Sequence, residues 1–300
     1  MNKFIRFYNQ NRHMVWIVIL VVIAIIVLIQ LLNQFAIKKV NENTSKNSIN
    51  LNKDTINKNY SVITGEEVKQ DIKDVIDEFV NLCNKKNAQN AYEILSKECK
   101  EILYPTLNDF EKNYYNKLFT TKKTAIVQAW ITDNNKYIYR IDFVEDMLAT
   151  GTSSKTSIVD YYTVIEENGE YKLNINKFIG KENINKQSTV NDVTINVKTK
   201  KVYMDYEIYD FEVVNNTNEE IIIANLKETN SVYVQDKNEV KYSWYNYEII
   251  DREITIISGL KQEISIKFNK LYKPNNETIK IVFSNVMLKD NKASEIYINI

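Results

Sequence analysis

The sequence predicts a membrane-spanning helix, then an α+β domain, then an all-β sandwich. Three observations carry this. Val15 to Leu32 reads VWIVILVVIAIIVLIQLL, apolar except for Gln30 and free of charge, Pro and Gly. From Val68 to Phe119 apolar residues recur at helical spacing, and from Lys123 the period falls to two. Beyond Asn191 every patterned segment reads as strand.

Roughly 20 apolar residues at about 1.5 Å per residue span a hydrocarbon core of about 30 Å. A helix satisfies its own backbone groups there, as lipid requires. Residues 14–36 are therefore expected to be a transmembrane signal anchor. Residues 1–13 precede it with Lys3, Arg6 and Arg12 and no acid. Positive flanks stay inside, so the tail is expected in the cytoplasm and the C-terminal mass outside, although Lys38 and Lys39 weaken the asymmetry. The run exceeds the roughly 7–15 residues of a cleaved leader, and Asn33 to Ile37 offer no small-x-small site. The expected localisation is the cell membrane, single-pass, with extracellular domains.

Composition excludes several classes. The 39 basic and 39 acidic residues cancel, so no basic stripe speaks for nucleic acid. Five Gly and two Pro disfavour Gly-rich phosphate loops. The abundance of Asn, Lys and Ile reads as the bias of a low-GC bacterial genome. The only His is His13, on the cytoplasmic side of the anchor. The ectodomain thus lacks the side chain that most triads and many zinc sites use. No catalytic residue, cofactor or metal site is expected. Glu145, Asp146 and Asp133 supply oxygen ligands but not the spacing of a calcium loop. Cys83 and Cys99 fall on predicted helices and would not be level in a hairpin, so two free thiols are expected rather than a disulfide.

Residues 37–63 are polar and aperiodic and read as a flexible linker. Thr64-Gly-Glu-Glu67 is a capping-box sequence opening the first domain, 64–180. Val68, Ile72, Val75, Ile76, Phe79, Leu82 and Cys83 form one face of the first helix. A second helix passes through Ala88, Ala91, Tyr92, Ile94 and Leu95, continues or bends into Lys97–Leu103, and is stopped by Pro105. A third runs from Leu107 to Phe119. Then Ala125, Val127, Ala129 and Ile131 alternate with Thr124, Ile126, Gln128 and Trp130. Tyr137, Tyr139, Ile141 and Phe143 form the inward face of the next strand. Two more strands, Ile158–Ile165 and Tyr171–Phe178, flank Glu166-Glu-Asn-Gly169, an Asn-Gly hairpin.

Three helices followed by a curved antiparallel sheet resemble the NTF2-like fold over about residues 66–180. The resemblance rests on element order, the Ala91-Tyr92…Leu95 helix, Asp109-Phe110…Tyr114-Tyr115 and the closing YYTVIEENGEYKLNINKF. It is nearest to the domains that follow a membrane anchor in Gram-positive envelope proteins, which implies a cone of sheet wrapped on helices.

Residues 181–191 read as a polar linker. From 192 to 300 about seven to nine short strands, with turns at Asn215-Asn-Thr-Asn218, Asp236-Lys-Asn238, Ser258-Gly259 and Pro274-Asn-Asn276, predict a two-sheet sandwich. Phe211-Glu-Val-Val-Asn-Asn-Thr217 followed by Leu260–Phe268 resembles the Ig-like sandwiches of bacterial surface proteins.

Two groups stand out as candidate sites. Tyr242, Trp244, Tyr245 and Tyr247 are the densest aromatic run and could form a recognition surface, though alternation sends about half of such a run into a core. Asp142, beside Arg140, and Asp160 on the next strand are candidate cone acids, because NTF2-like enzymes place an acid inside the cone. The plainer expectation for Asp142 is an exposed charge, since Tyr139, Ile141 and Phe143 claim the inside. The function expected is a membrane-anchored, non-enzymatic binding or assembly protein of the cell envelope. Its partners would be another envelope protein, a secretion or conjugation apparatus, or wall polymer. A homodimer is consistent with the resemblance. The alternative is a small-molecule-binding or catalytic cone. A filled interior favours the first, and an open polar one the second.

Overall fold

The structure is a computed structural model and describes residues 60–61, 70–133, 135–145, 157–225, 230–244, 253–288 and 293–300. The predicted anchor, most of the 37–63 linker and the Thr64 capping box lie outside the described residues, as do Tyr245 and Tyr247. Among the described residues no helix is long and apolar enough to cross a membrane. Residues 58–300 form one compact unit, mostly strand, with antiparallel sheets.

Helix α1 (Gln70–Asn84) buries Ile72, Ile76, Phe79, Val80 and Cys83, which share one face at helical spacing. Helix α2 (Ala88–Ile94) is capped by Asn87, whose side chain accepts the Asn90 N–H. It does not run on into α3 (Lys97–Leu103). Leu95 turns extended, its neighbour Ser96 donates its N–H to the Leu173 carbonyl, and the Ser96 hydroxyl accepts the Cys99 N–H as the new cap. A serine that can cap starts a helix more readily than it continues one.

Helix α4 (Leu107–Phe110) opens with a capping box between Thr106 and Asp109. It passes through a π-helical turn, Glu111–Tyr115, into α5 (Asn116–Leu118). That turn has a consequence: Tyr114 and Tyr115 are adjacent, yet both are buried.

The helices cover one face of a sheet ordered β1-β2-β3-β4-β5. Its strands are β1 (Tyr60–Ser61), β2 (Lys123–Asp133), β3 (Lys136–Glu145), β4 (Ser157–Glu167) and β5 (Glu170–Asn174). The expected Asn-Gly hairpin joins the last two, with Asn168 and Gly169 both at positive φ. The end of the expected 37–63 linker is not wholly loop, since Tyr60 and Ser61 pair with Asp133 and Thr132.

The segment expected to be a second linker, 181–191, is strand almost throughout. Strand β6 (Phe178–Val190) leaves the first half and pairs along its length with β7 (Val193–Tyr203). It is an outer strand, next to β7 in the order β13-β8-β7-β6, and it carries two register shifts. Polar residues and bulges are how natural sheets blunt such edges, so Lys181-Glu-Asn-Ile-Asn-Lys-Gln187 looks like a linker while folding as an edge.

Strands β8 (Glu207–Asn215) and β13 (Lys261–Phe268) complete that sheet. The second sheet contains β9 (Ile221–Asn225), β10 (Val232–Asp236), β11 (Lys241–Ser243), β12 (Glu253–Ile256), β14 (Thr278–Leu288) and β15 (Ala293–Asn299). Alternate residues of both sheets meet in one core, with Ile195, Phe211 and Phe268 from the first against Ile223, Val234 and Phe283 from the second. Two antiparallel sheets around one core are compatible with the expected two-sheet sandwich.

The two halves share a small core of their own. Ile131 and Ile138, on the sheet face away from the helices, are buried with Ile179, Val202 and Met204, and Tyr161 and Tyr272 pack against them. Met204 N–H donates to the Lys177 carbonyl and Tyr272 N–H to the Met204 carbonyl, both at 2.9 Å. The Tyr272 hydroxyl donates to Asp133 at 2.5 Å.

Candidate functional site

The two candidate acids part company. Residues pair across β3 and β4 as Ile141 with Asp160 and Asp142 with Val159. Pleating then sends Asp160 to the helix side with Ile141 and leaves Asp142 on the outer face.

Asp160 is 5% exposed. Its carboxylate accepts the Tyr114 hydroxyl at 2.8 Å and the N–H groups of Tyr161, Asn176 and Lys177 at 2.7, 3.2 and 2.9 Å. Tyr114 and Tyr162 hydroxyls lie 2.7 Å apart. Burial raises the Asp160 carboxyl above the usual range, against the pull of those four donors. The same burial raises the Tyr114 and Tyr162 hydroxyls.

A general base must come within hydrogen-bond reach of a substrate proton. Around Asp160 the interior is occupied by rings. Phe79 meets Tyr162 at 5.7 Å between centroids, Phe110 at 6.3 Å and Phe119 at 6.5 Å, and Phe143 meets Phe119 at 5.7 Å. These edge-on and tilted contacts fill the volume a substrate would need. Asp160 instead holds the turn at Asn176 and Lys177, both at positive φ, where the chain passes into β6. Tyr104 is also enclosed, and burial raises its hydroxyl above the usual range.

Asp142 is paired with Arg140 at 3.0 Å on the outer face, where its side chain is 17% exposed, half-buried rather than the open charge expected. Arg140 Nε is buried and has no partner among the described residues. Around this pair stand apolar side chains that composition would place inside: Ile126, 49% exposed, Trp130, 39%, and Val159, 36%. Trp130 packs edge-on against Tyr161 at 5.9 Å. The signal for this patch was in the sequence, because Ile126 and Trp130 occupy the polar phase of the β2 alternation.

Of the aromatic run, Tyr242 and Trp244 lie within the described residues, and their surroundings differ. Trp244 is 7% exposed and belongs to the sandwich core. Tyr242 is half-buried; its hydroxyl donates to Asp236 at 3.0 Å and accepts from Asn276 at 2.9 Å, which ties one end of the sandwich together.

Sequence reasoning missed a buried ion pair. Lys270 and Glu207 meet at 2.6 Å with both side chains below 5% exposure, and Tyr209 and Thr278 hydroxyls donate to the same carboxylate. The pair borders a cavity of about 100 Å³ between the halves, where Lys200 meets Glu182 at 2.8 Å. Removing one member of such a buried pair is costly, because it strands the other charge. Cys83 and Cys99 are free and buried, and burial pushes the Cys99 thiol up to about 12 and the Cys83 thiol up as well. Among the described residues no three His, Cys, Asp or Glu side chains gather where they could share a metal ion.

No protein-family model, no curated protein and no solved structure matches the chain.

Proposed function

We propose that this chain is a single-pass, membrane-anchored protein of a bacterial envelope, of Gram-positive type, that works outside the membrane by binding or assembly and not by catalysis. In this reading the first half is an NTF2-like domain and the second an Ig-like sandwich. The observation that carries it is the filled interior of the first half, where Phe79, Phe110, Phe119, Phe143 and Tyr162 pack ring against ring. With the inside closed, surfaces remain as places for function. The continuous strand β6 adds support, because it makes the two halves one body suited to presenting a surface. The apolar run at 15–32 supports the anchor, and the basic residues before it support the orientation. Another envelope protein, a secretion or conjugation apparatus, or wall polymer is the class of partner.

Two experiments test this. The full chain, tagged at its C-terminus and expressed in a Gram-positive host, is expected in the membrane fraction and open to external protease on protoplasts. Recovery in the soluble fraction, or protection from protease, overturns the placement. A thermal-shift screen of the same chain against small metabolites is expected to give no saturable stabilisation. A hit abolished by Asp160→Asn overturns the closed interior.

A further inference from the structure

A groove of about 590 Å³ lies on the helix side of the first half, between α1, α2 and the start of β5. Val75 and Leu82 from α1, Ile94 from α2 and Tyr171 from β5 give it an apolar lining. Asp74, Glu78, Glu93 and Glu170 stand exposed around that lining with one cation, Lys172. Four acids against one base leave a net charge of −3. Glu170 pairs with Lys172 at 2.9 Å and Glu93 with Lys100 at 3.0 Å. In both pairs the carboxylate is open to solvent, and such pairs contribute little. The groove also borders a sheet edge, because β5 is the last strand in its order. On that edge the Leu173 carbonyl accepts the Ser96 N–H. Residues two apart on a strand turn their backbone groups the same way, so the Tyr171 N–H and C=O face the same edge.

We propose that this groove binds an extended segment of a partner protein that carries aliphatic residues together with lysine or arginine. Three features select that chemistry. Aliphatic side chains fill the lining made by Val75, Leu82 and Ile94. Basic side chains reach the rim carboxylates, where an acidic segment would meet like charge. An extended backbone pairs with the open Tyr171 position, as in other strand additions to a sheet edge. A purely apolar segment would gain nothing from the rim. The inference rests on the binding role proposed above, whose partner it describes, and it does not depend on the anchor.

The full chain in detergent, titrated calorimetrically with the acetylated and amidated peptide KIKVKIK, tests this. Saturable one-to-one binding is expected, and the matched peptide EIEVEIE is expected to give none. Glu78→Lys combined with Glu93→Lys is expected to weaken KIKVKIK at least about tenfold by reversing the rim. Asn90→Trp keeps every carboxylate but places a ring in the groove, and it is expected to weaken the peptide at least about tenfold as well. That second variant separates docking in the groove from general attraction to an acidic surface. Melting temperatures of the variants within a few degrees of wild type show that the fold is kept. Absence of saturable binding, equal binding of EIEVEIE, or unchanged affinity in either folded variant overturns the proposal. Any of these results with the chain still recovered in the membrane strikes the partner and leaves the placement standing.

Discussion

The Tyr114 hydroxyl donates to the Asp160 carboxylate at 2.8 Å, joining the π-helical turn of the last helix to the fourth strand. The same carboxylate holds the N–H groups of Asn176 and Lys177, so one buried group ties helix, sheet and the exit turn to β6. Asp160→Ala removes the acceptor and leaves buried donors unpaired. The expected cost is roughly 3 kcal/mol, within the range for breaking a buried polar network. Asp160→Asn keeps one acceptor oxygen and is expected to cost less. Urea unfolding of both variants measures this. A loss below about 0.5 kcal/mol for the Ala variant would show that the network does not hold the turn.

Some of this was legible in the sequence and some was not. The period change at Lys123, the Asn-Gly turn and the alternation of Tyr139, Ile141 and Phe143 gave the helix-then-sheet order and the inside of β3, because pleating ties side-chain direction to sequence parity. Parity also separates Asp142 from Asp160, but only once the β3–β4 register is known. That register depends on the 146–156 connection, whose length hides it. The edge strand β6 was illegible for a different reason: polarity at an edge and polarity in a linker look alike in one dimension. The Arg140 and Ile126 surface was visible as a break in the β2 pattern, but strict alternation puts Ile131 in phase with Ala129, and only the register shift between them turns Ile131 to the outer face opposite Ile138.

Two acids are expected to push stability in opposite directions with pH. Burial raises the folded-state pKa of Asp160, so its favourable contribution is full below the unfolded carboxylate value, near 4, and is lost as pH rises through the higher folded value. Asp210 is the reverse. Burial works against its charge, but bonds from Lys201, Ser265 and Thr199 hold its carboxyl below the usual range. Its contribution is present above the unfolded value and is lost as pH falls through the lower folded one. Unfolding free energies between pH 3 and 7 check both. Relative to wild type, Asp160→Asn should gain ground as pH rises, and Asp210→Asn should gain ground as pH falls. Parallel curves for either variant count against the corresponding shift.

Backbone pairing of β6 with β7 makes a claim about proteolysis. Lys181 and Lys186 lie in the stretch that reads as linker, and a true linker there would be cut by trypsin under native conditions. Paired strands must open before a protease can bind them. Native cleavage after Lys181 and Lys186 is therefore expected to be slow and to speed up with urea, in step with unfolding. Rapid early cleavage at either lysine, with the flanking halves left intact, would restore the linker.

Trp244, just past β11, and Trp130, within β2, have opposite surroundings. Trp244 is enclosed in the sandwich core beside Phe268, whereas Trp130 lies on the open face against Tyr161. Truncating an enclosed ring loses its burial and leaves a cavity, so Trp244→Ala is expected to cost about 3–5 kcal/mol. Trp130→Ala removes a partly solvated ring and one edge-on contact and is expected to cost about 1 kcal/mol or less. Acrylamide quenching supplies an independent reading. The Trp244→Ala chain should lose a protected component of the emission, and the Trp130→Ala chain an accessible one. Equal losses of stability, or a Trp244 that quenches freely, would move that ring from the core to the surface and return it to the recognition face that the sequence suggested.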